Sequence, residues 1–305
     1  MSNLYGVIDI GSNTIRLVIY SVNGNNIQAV LKNKYMAGLA GYINSNGRMT
    51  KEGIREAVSI LKELRAITDQ ITLEEILPFG TAPLRNITNS DEVLATLKKK
   101  TGFDISVLSG REEAMYDYYG ALRSTSMKTG LITDVGGGST ELVFFKDREM
   151  IDSVSLPVGS LNMYTKYVDG ILPSRPEIRH IRADVDERLK DSGFCPDDVD
   201  VDTMCALGGT ARTTHQIAAY VTGSSKKYSP DFFEDYLSQI CNGPGKITNR
   251  VLRIAPDRIH TITPGITIMS EVCSMFRIRN IVTSPYGVRE GYLYYHLKKE
   301  GIIND

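Results

Sequence analysis

The chain has 305 residues, 42% of them apolar, and its 35 basic and 36 acidic side chains leave a formal net charge of −1. A length of this order supplies about two globular cores, and so even a charge balance excludes a general nucleic-acid binder, which carries a basic excess. No stretch approaches the roughly 18 to 20 uninterrupted apolar residues of a membrane span, and the first residues run into VIDIG without a basic leader; a cytoplasmic protein that uses neither membrane nor nucleic acid is expected.

Along the chain, VIDIGSNTIRLVIY (7–20) reads as strand, glycine turn, strand, because β-branched apolar residues flank GSNT. An apolar segment at 27–30 and a Gly-rich loop from Gly38 to Gly47 follow. Thr50 then caps a helix in which Ile54, Val58, Leu61 and Leu64 keep helical spacing. EILPFGTAPLRN (75–86) predicts a strand running into a loop that delivers Arg85. A helix over 91–100, a strand at ISVLSG (105–110) and a helix over 110–123 complete a first domain, 1–125. The second domain, 126–305, opens with its own hairpin from Gly130. Ser174 and Glu177 form an S-x-x-E capping box ahead of Ile178, Ile181, Val185 and Leu189, with Gly193 as the stop.

TMCALGGTARTTHQIA (203–218) reads as strand, glycine turn and helix start, and its Gly208, Gly209 and Thr210 can bring backbone donors to a ligand. A plain tight turn accounts for the same glycines. GPGK (243–246) reads as a loop, Pro264 to Phe276 as a helix, and IVTS (281–284) as an inner strand. Ser284-Pro285 caps a terminal helix that ends near Lys299 and is expected to pack back on the first domain. Cys195, Cys205, Cys241 and Cys273 stand far apart, with no CxxC and no HExxH in the chain; reduced thiols are predicted and a zinc site is not.

The two hairpins are a repeat. With Asp9 on Asp134, Gly11 falls on Gly136, Thr14 on Ser139 and Leu17-Val18 on Leu142-Val143, without a gap and 125 residues apart. Glycines at such a turn let backbone N–H groups approach an anion, and hydroxyls add donors. An aspartate ending the first strand can hold a hydrated Mg²⁺ against that anion. Two Gly-rich hairpins without a ligand are the bland alternative for either copy alone. GxxxxGK[ST] is absent and neither turn is a GxGxxG that opens a helix, so the chain predicts an α/β architecture of two lobes with a cleft between paired phosphate turns.

These turns resemble those of the acetate kinase, sugar kinase, Hsp70 and actin superfamily, which implies two ribonuclease H-like (actin-like ATPase) lobes with an inter-lobe cleft. In finer detail, DIGSNTIRLVI, GTAPLRN, SGREEA, DVGGGSTELV, LPVGS, LGGTA and YGVREG, in this order over almost the whole chain, resemble the exopolyphosphatase and guanosine pentaphosphate phosphohydrolase (Ppx/GppA) family, in its short form without a C-terminal HD-type domain. The resemblance implies hydrolysis of a terminal phosphoanhydride bond of inorganic polyphosphate or pppGpp with Mg²⁺ or Mn²⁺, and a homodimer. It makes Glu113 the catalytic glutamate. Locally, Ser109 and Glu112 fit a capping box, which makes Glu112 structural and leaves Glu113 to activate the water.

The resemblance further implies that Gly11, Ser12, Asn13 and Thr14 hold one side of the terminal phosphate, and Gly136, Gly137, Gly138 and Ser139 the other. Gly208, Gly209 and Thr210 contribute further donors, and Arg85, otherwise an ordinary surface arginine, neutralises phosphate oxygens. Asp9 and Asp134 are the metal candidates, with Glu141 placing metal or water. Three segments depart from the family pattern: LNMY after LPVGS, the loop MAGLAGYINSNGRM, and Arg212 in LGGTART. Lys226, Lys227, Arg250, Arg253 and Arg258 are candidate basic contacts. An ATP-dependent kinase of the superfamily, with LGGTA at the adenosine, and a non-catalytic alarmone sensor are the competing readings; the water-activating Glu113 disfavours both.

Overall fold

The computed structural model describes residues 3–195, 201–223 and 227–304, so Lys226 falls outside the described residues. The chain divides into two compact units, Met1–Glu112 with Tyr292–Asp305, and Glu113–Gly291. The division therefore falls inside two helices, where the sequence suggests a boundary at 125/126; a helix carries the chain from one unit to the next with no linker to mark the place.

In the first unit β1 (Asn3–Ile10), β2 (Thr14–Asn23) and β3 (Asn26–Met36) form an antiparallel meander. After α1 (Lys51–Thr68), β4 (Glu75–Gly80) pairs parallel to β1; α2 (Ala82–Arg85) and α3 (Ser90–Thr101) lead to β5 (Ser106–Val107), parallel to β4. The sheet order is β3-β2-β1-β4-β5. β1 lies between two strands with both faces covered and so reads as an almost unbroken apolar run, whereas the edge strand β3 alternates half-buried and exposed residues. Ala57, Leu61 and Leu64 of α1 and Val93 and Leu97 of α3 pack with Ile8, Ile10 and Leu17 of the sheet. Thr50 caps α1 as expected, accepting from the Gly53 N–H at 3.3 Å. The ring of Tyr292 stacks on Phe79, centroids 4.9 Å apart, and His296 meets Glu75 at 2.8 Å, which fixes the last segment to β4.

The second unit repeats the plan. It takes up α4 (Gly110–Leu122) from Glu113 onward and continues with β6 (Gly130–Val135), β7 (Thr140–Lys146), β8 (Glu149–Leu156), α5 (Ser160–Tyr167) and α6 (Arg175–Asp191). Next come β9 (Thr203–Leu207), α7 (Gly208–Thr222), α8 (Asp231–Asn242), α9 (Gly245–Ile254), α10 (Ile262–Met275), β10 (Asn280–Thr283) and the start of α11 (Val288–Lys299). The order β8-β7-β6-β9-β10 matches the first sheet strand for strand, with the same two antiparallel and two parallel pairings. Even the register shift recurs: it lies between Ile19 and Tyr20 in one meander and between Phe144 and Phe145 in the other, again 125 residues apart.

Several expectations need correction. β5 is only a two-residue strand, β10 lies at the sheet edge, and Gly245 of GPGK already opens α9. Gly208 is the first residue of α7, so no separate turn precedes the helix. The terminal helix starts at Val288: Ser284 Oγ accepts from the Tyr286 N–H at 3.0 Å and holds a turn, while Glu290 closes the helix start by accepting from the Gly287 N–H at 3.0 Å. By contrast, the Ser174 box closes, with the backbone N–H and the hydroxyl of Ser174 both donating to Glu177 Oε2 at 2.6 Å, and Gly193 ends α6 at φ 64°. No helix of the described residues is long and apolar enough to cross a membrane.

Candidate active site

Both glycine turns are built the same way. Gly136 N–H donates to Ser139 O at 2.9 Å and Gly11 N–H to Thr14 O at 3.0 Å. In the second unit the turn's carbonyls are all tied to the start of α5: Gly136 O accepts from Ser160 N–H (2.8 Å) and Oγ (3.0 Å), Gly137 O from the N–H groups of Leu161 (2.9 Å) and Asn162 (3.0 Å), and Gly138 O from Asn162 Nδ2 (3.0 Å). The N–H groups of Gly137 and Gly138 make no hydrogen bond among the described residues. In the first unit Ser12 O accepts from Ala40 N–H, and Asn13 O from the N–H groups of Ala37 and Gly38, each at 3.0 Å; the N–H groups of Ser12 and Asn13 likewise bond to nothing described. With carbonyls bound and N–H groups left over, each turn presents positive partial charge, as an anion requires. Asn162, in the LNMY segment that departs from the family pattern, is thus the brace of the second turn.

Four carboxylates gather in the second unit around the end of β6. Glu141, the second residue of β7, stands opposite Asp134 in the ladder. Glu113 and Asp117 lie four residues apart on α4, one turn of helix, hence on one face. Glu113, Asp117 and Glu141 are 8%, 1% and 2% exposed. Burial first, then the charges of Asp134, Glu141 and Glu113, hold the Asp117 carboxyl well above the usual carboxylate range. Burial and then the Glu113 charge do the same to Glu141, against the pull of the Ser155 hydroxyl, which donates to its Oε1 at 2.7 Å. Neither oxygen of Asp117 has a hydrogen-bond partner; the Val288 N–H approaches it and lowers its pKa slightly without closing a bond of normal geometry.

Glycines permit this crowding. A Cβ at Gly208, which sits at φ 76°, would collide with the Asp134 carboxylate. A Cβ at Gly287 would stand 3.4 Å from Asp117 Oδ1 and 4.0 Å from Asp134 Oδ2, so the α11 start closes over both acids. Arg212 and Arg258 are half-buried nearby; desolvation lowers the pKa of each, and the negative charge of Asp134 works against that in both. The Arg258 guanidinium lies against Gly209.

The second unit therefore brings together Glu113, Asp134, Glu141, the Gly136–Ser139 turn and Gly208 and Gly209. Thr210 is 2% exposed and its hydroxyl is committed to Val135 O at 2.8 Å, where it ties α7 to β6. In the first unit Asp9 ends β1 opposite Arg16, and Arg85 of α2 donates through Nη1 to Leu108 O at 2.8 Å beside the turn that Gly11 begins. Of the other basic residues, Arg250 stacks on Tyr220 at 4.7 Å and lines, with Lys246 and Arg253, a separate pocket of about 240 Å³; Lys227 donates to Asn280 at 3.4 Å. Asp117 and Ser155 escape the sequence reading, although Asp117 carried a signal in its i+4 spacing from Glu113.

No three Asp, Glu, His or Cys side chains of the described residues converge on one point. The donor set still fits a hard cation of the Mg²⁺ kind, which takes one or two carboxylates and completes its shell with water and phosphate oxygens: half-buried Asp134 and its buried cross-strand neighbour Glu141 could supply oxygen ligands beside the Gly136–Ser139 turn.

The sequence profile of the Ppx/GppA phosphatase family matches residues 18–300. Exopolyphosphatase 1 of Mycobacterium leprae is 25% identical over 304 residues, 97% of this chain and 90% of that protein. Exopolyphosphatase 1 of Mycobacterium tuberculosis is 24% identical over 309 residues, covering 97% and 88%. Among solved structures, the Aquifex aeolicus Ppx/GppA family member superposes with a TM-score of 0.80 at 24% identity over 98% of this chain and 99% of that one. An exopolyphosphatase from Cytophaga hutchinsonii gives 0.86 at 21% over 97% and 98%.

Proposed function

The chain belongs to the Ppx/GppA phosphatase family, and we propose that it is an exopolyphosphatase, releasing orthophosphate from the terminal phosphoanhydride bond of inorganic polyphosphate. The observation that carries this reading is the second glycine turn: its carbonyls are bound by α5, its Gly137 and Gly138 N–H groups are left for an anion, and Glu113 belongs to the carboxylate group at the same strand ends. The mycobacterial relatives are named exopolyphosphatases, which supports polyphosphate as a substrate.

In this mechanism the turn's N–H groups hold the oxygens of the terminal phosphate. Glu113 orients a water and takes its proton as the water oxygen bonds to phosphorus and the bridging P–O bond breaks, leaving the shortened chain as the departing anion. Asp134 would hold Mg²⁺ or Mn²⁺, with Glu141 beside it placing the metal or the water, and the cation would supply charge neutralisation of the phosphate oxygens when bound. Phosphate release from long polyphosphate, short polyphosphate, pppGpp and ATP, measured side by side, tests the reading. Release from polyphosphate well above the others is expected; release from pppGpp alone, or ADP formed from ATP only when a metabolite is added, overturns it.

A further inference from the structure

We propose that Asp117 is a second carboxylate ligand of the divalent cation held at Asp134, a role that rests on the phosphohydrolase reading above. Two buried aspartates of the same unit show the contrast. Asp184, 7% exposed, accepts from Lys166 Nζ (2.8 Å), Tyr167 Oη (2.9 Å) and Arg188 Nε (2.8 Å) and is a structural acid with its charge compensated. Asp117, 1% exposed, has no hydrogen bond of normal geometry on either oxygen; the one donor that approaches it is the Val288 N–H. A buried carboxylate without good donors is disfavoured in its charged form, and either keeps a proton or is compensated from outside the chain.

The position says what that compensation is. Asp117 Oδ1 and Asp134 Oδ2 both lie near Gly287, 3.4 Å and 4.0 Å from where a Cβ would stand, so both oxygens border the place that this glycine leaves without a side chain. Gly120 and Gly291 allow this approach: a Cβ on Gly120 would run into the backbone of Gly287, just before α11, and one on Gly291 into the backbone of α4 at Tyr116, so the start of α11 meets α4 main chain to main chain. The charged neighbours acting on Asp117 are Asp134, Glu141 and Glu113. All are acids, and they deepen the need for a cation. Two aspartates make an incomplete shell, which leaves coordination positions for water and phosphate oxygens, as a cation in phosphoryl transfer needs.

Mn²⁺ binding to the whole protein, measured by calorimetry and by loss of the free-ion EPR signal with no substrate present, tests the assignment. The wild type, Asp117→Asn and the apolar Asp117→Leu are compared, with thermal midpoints in metal-free buffer. A dissociation constant for Mn²⁺ raised tenfold or more in both variants, with midpoints equal to or above the wild type, is expected. A dissociation constant within twofold of the wild type overturns the assignment, as does a midpoint lowered by several degrees in both variants, which would mark Asp117 as structural. Because binding is read without turnover, a failure of the polyphosphate reading shows separately, as a wild type that binds Mn²⁺ and leaves polyphosphate intact.

Discussion

Glu141 stands directly opposite Asp134 in the β6–β7 ladder, whereas Arg16 holds the equivalent place opposite Asp9 in the β1–β2 ladder. The two hairpins share a backbone down to the bulge, yet their cross-strand partners have opposite charge. An acid facing an acid at close cross-strand distance is unfavourable without a cation; an acid facing an arginine is not. For the cation of the proposed mechanism, this difference in charge favours the second hairpin.

Asp134→Asn is accordingly expected to lower turnover by roughly a hundredfold or more, the range seen when a group stabilising transition-state charge is lost, with little change in stability. Asp9→Asn should cost less. EDTA should abolish turnover of the wild type, and added Mg²⁺ should restore it. Circular-dichroism melts beside phosphate-release assays check the set, and full turnover of Asp134→Asn in EDTA would remove Asp134 from the metal site.

Asn162→Ala tests the turn itself. Asn162 accepts from Gly159 N–H at 2.6 Å and donates to Gly138 O at 3.0 Å. Each such bond contributes about 1 kcal/mol net, so a stability loss of about 1 to 2 kcal/mol is expected, together with a several-fold rise in KM from a turn no longer pre-set for phosphate. Unchanged KM, with the stability loss present, would show that the brace serves folding alone.

The pH dependence of the metal-free protein follows from Asp117 and Glu141, whose carboxyls burial and neighbouring acids raise above the ordinary range. The folded state keeps protons that the unfolded chain releases, so the stabilisation is complete below the unfolded pKa of about 4 and is lost as pH rises through the raised folded values. In EDTA the thermal midpoint should fall from pH 5 toward pH 8, less steeply in Glu141→Gln, and saturating Mn²⁺ should flatten the slope. A midpoint that climbs with pH over this range would contradict the sign.

The sequence makes the repeat legible to the residue, because the period of 125 carries glycines, acids and hydroxyls in fixed register, and capping chemistry is local. What it hides is contact between distant segments. Asp117 lies on a helix whose buried face mixes Glu113, Ala114, Tyr116 and Gly120, so no apolar stripe marks the face as inward. Gly120 and Gly291 look like ordinary helix-weakening residues until α4 and α11 are seen backbone to backbone. The Thr210 hydroxyl is taken by Val135 O, a partner 75 residues away. Arg212 is half-buried and feels the charges of Arg289 and Asp134, a neighbourhood no local motif reveals.

The final prediction separates chemistry from folding within one helical turn. Ser109 N–H and Oγ donate to Glu112 Oε2 at 2.8 and 2.7 Å, and Glu112 N–H donates to Ser109 Oγ at 3.2 Å, so Glu112 is spent on the capping box of α4 and is exposed. Glu113, next in the chain, is buried and acts electrostatically on Glu141. Glu113→Gln keeps size and hydrogen-bonding shape while removing the proton acceptor, so turnover should fall by roughly a hundredfold or more. Affinity for polyphosphate should hold or improve, because one negative charge has been taken from a site for a polyanion. Glu112→Gln retains an acceptor for the cap and should shift stability by about 1 kcal/mol or less with turnover preserved. Steady-state kinetics and melts of the two variants read this directly: an inactive Glu112→Gln beside an active Glu113→Gln would exchange their roles, and two active variants would move water activation to Glu141, the other buried acid at the turn.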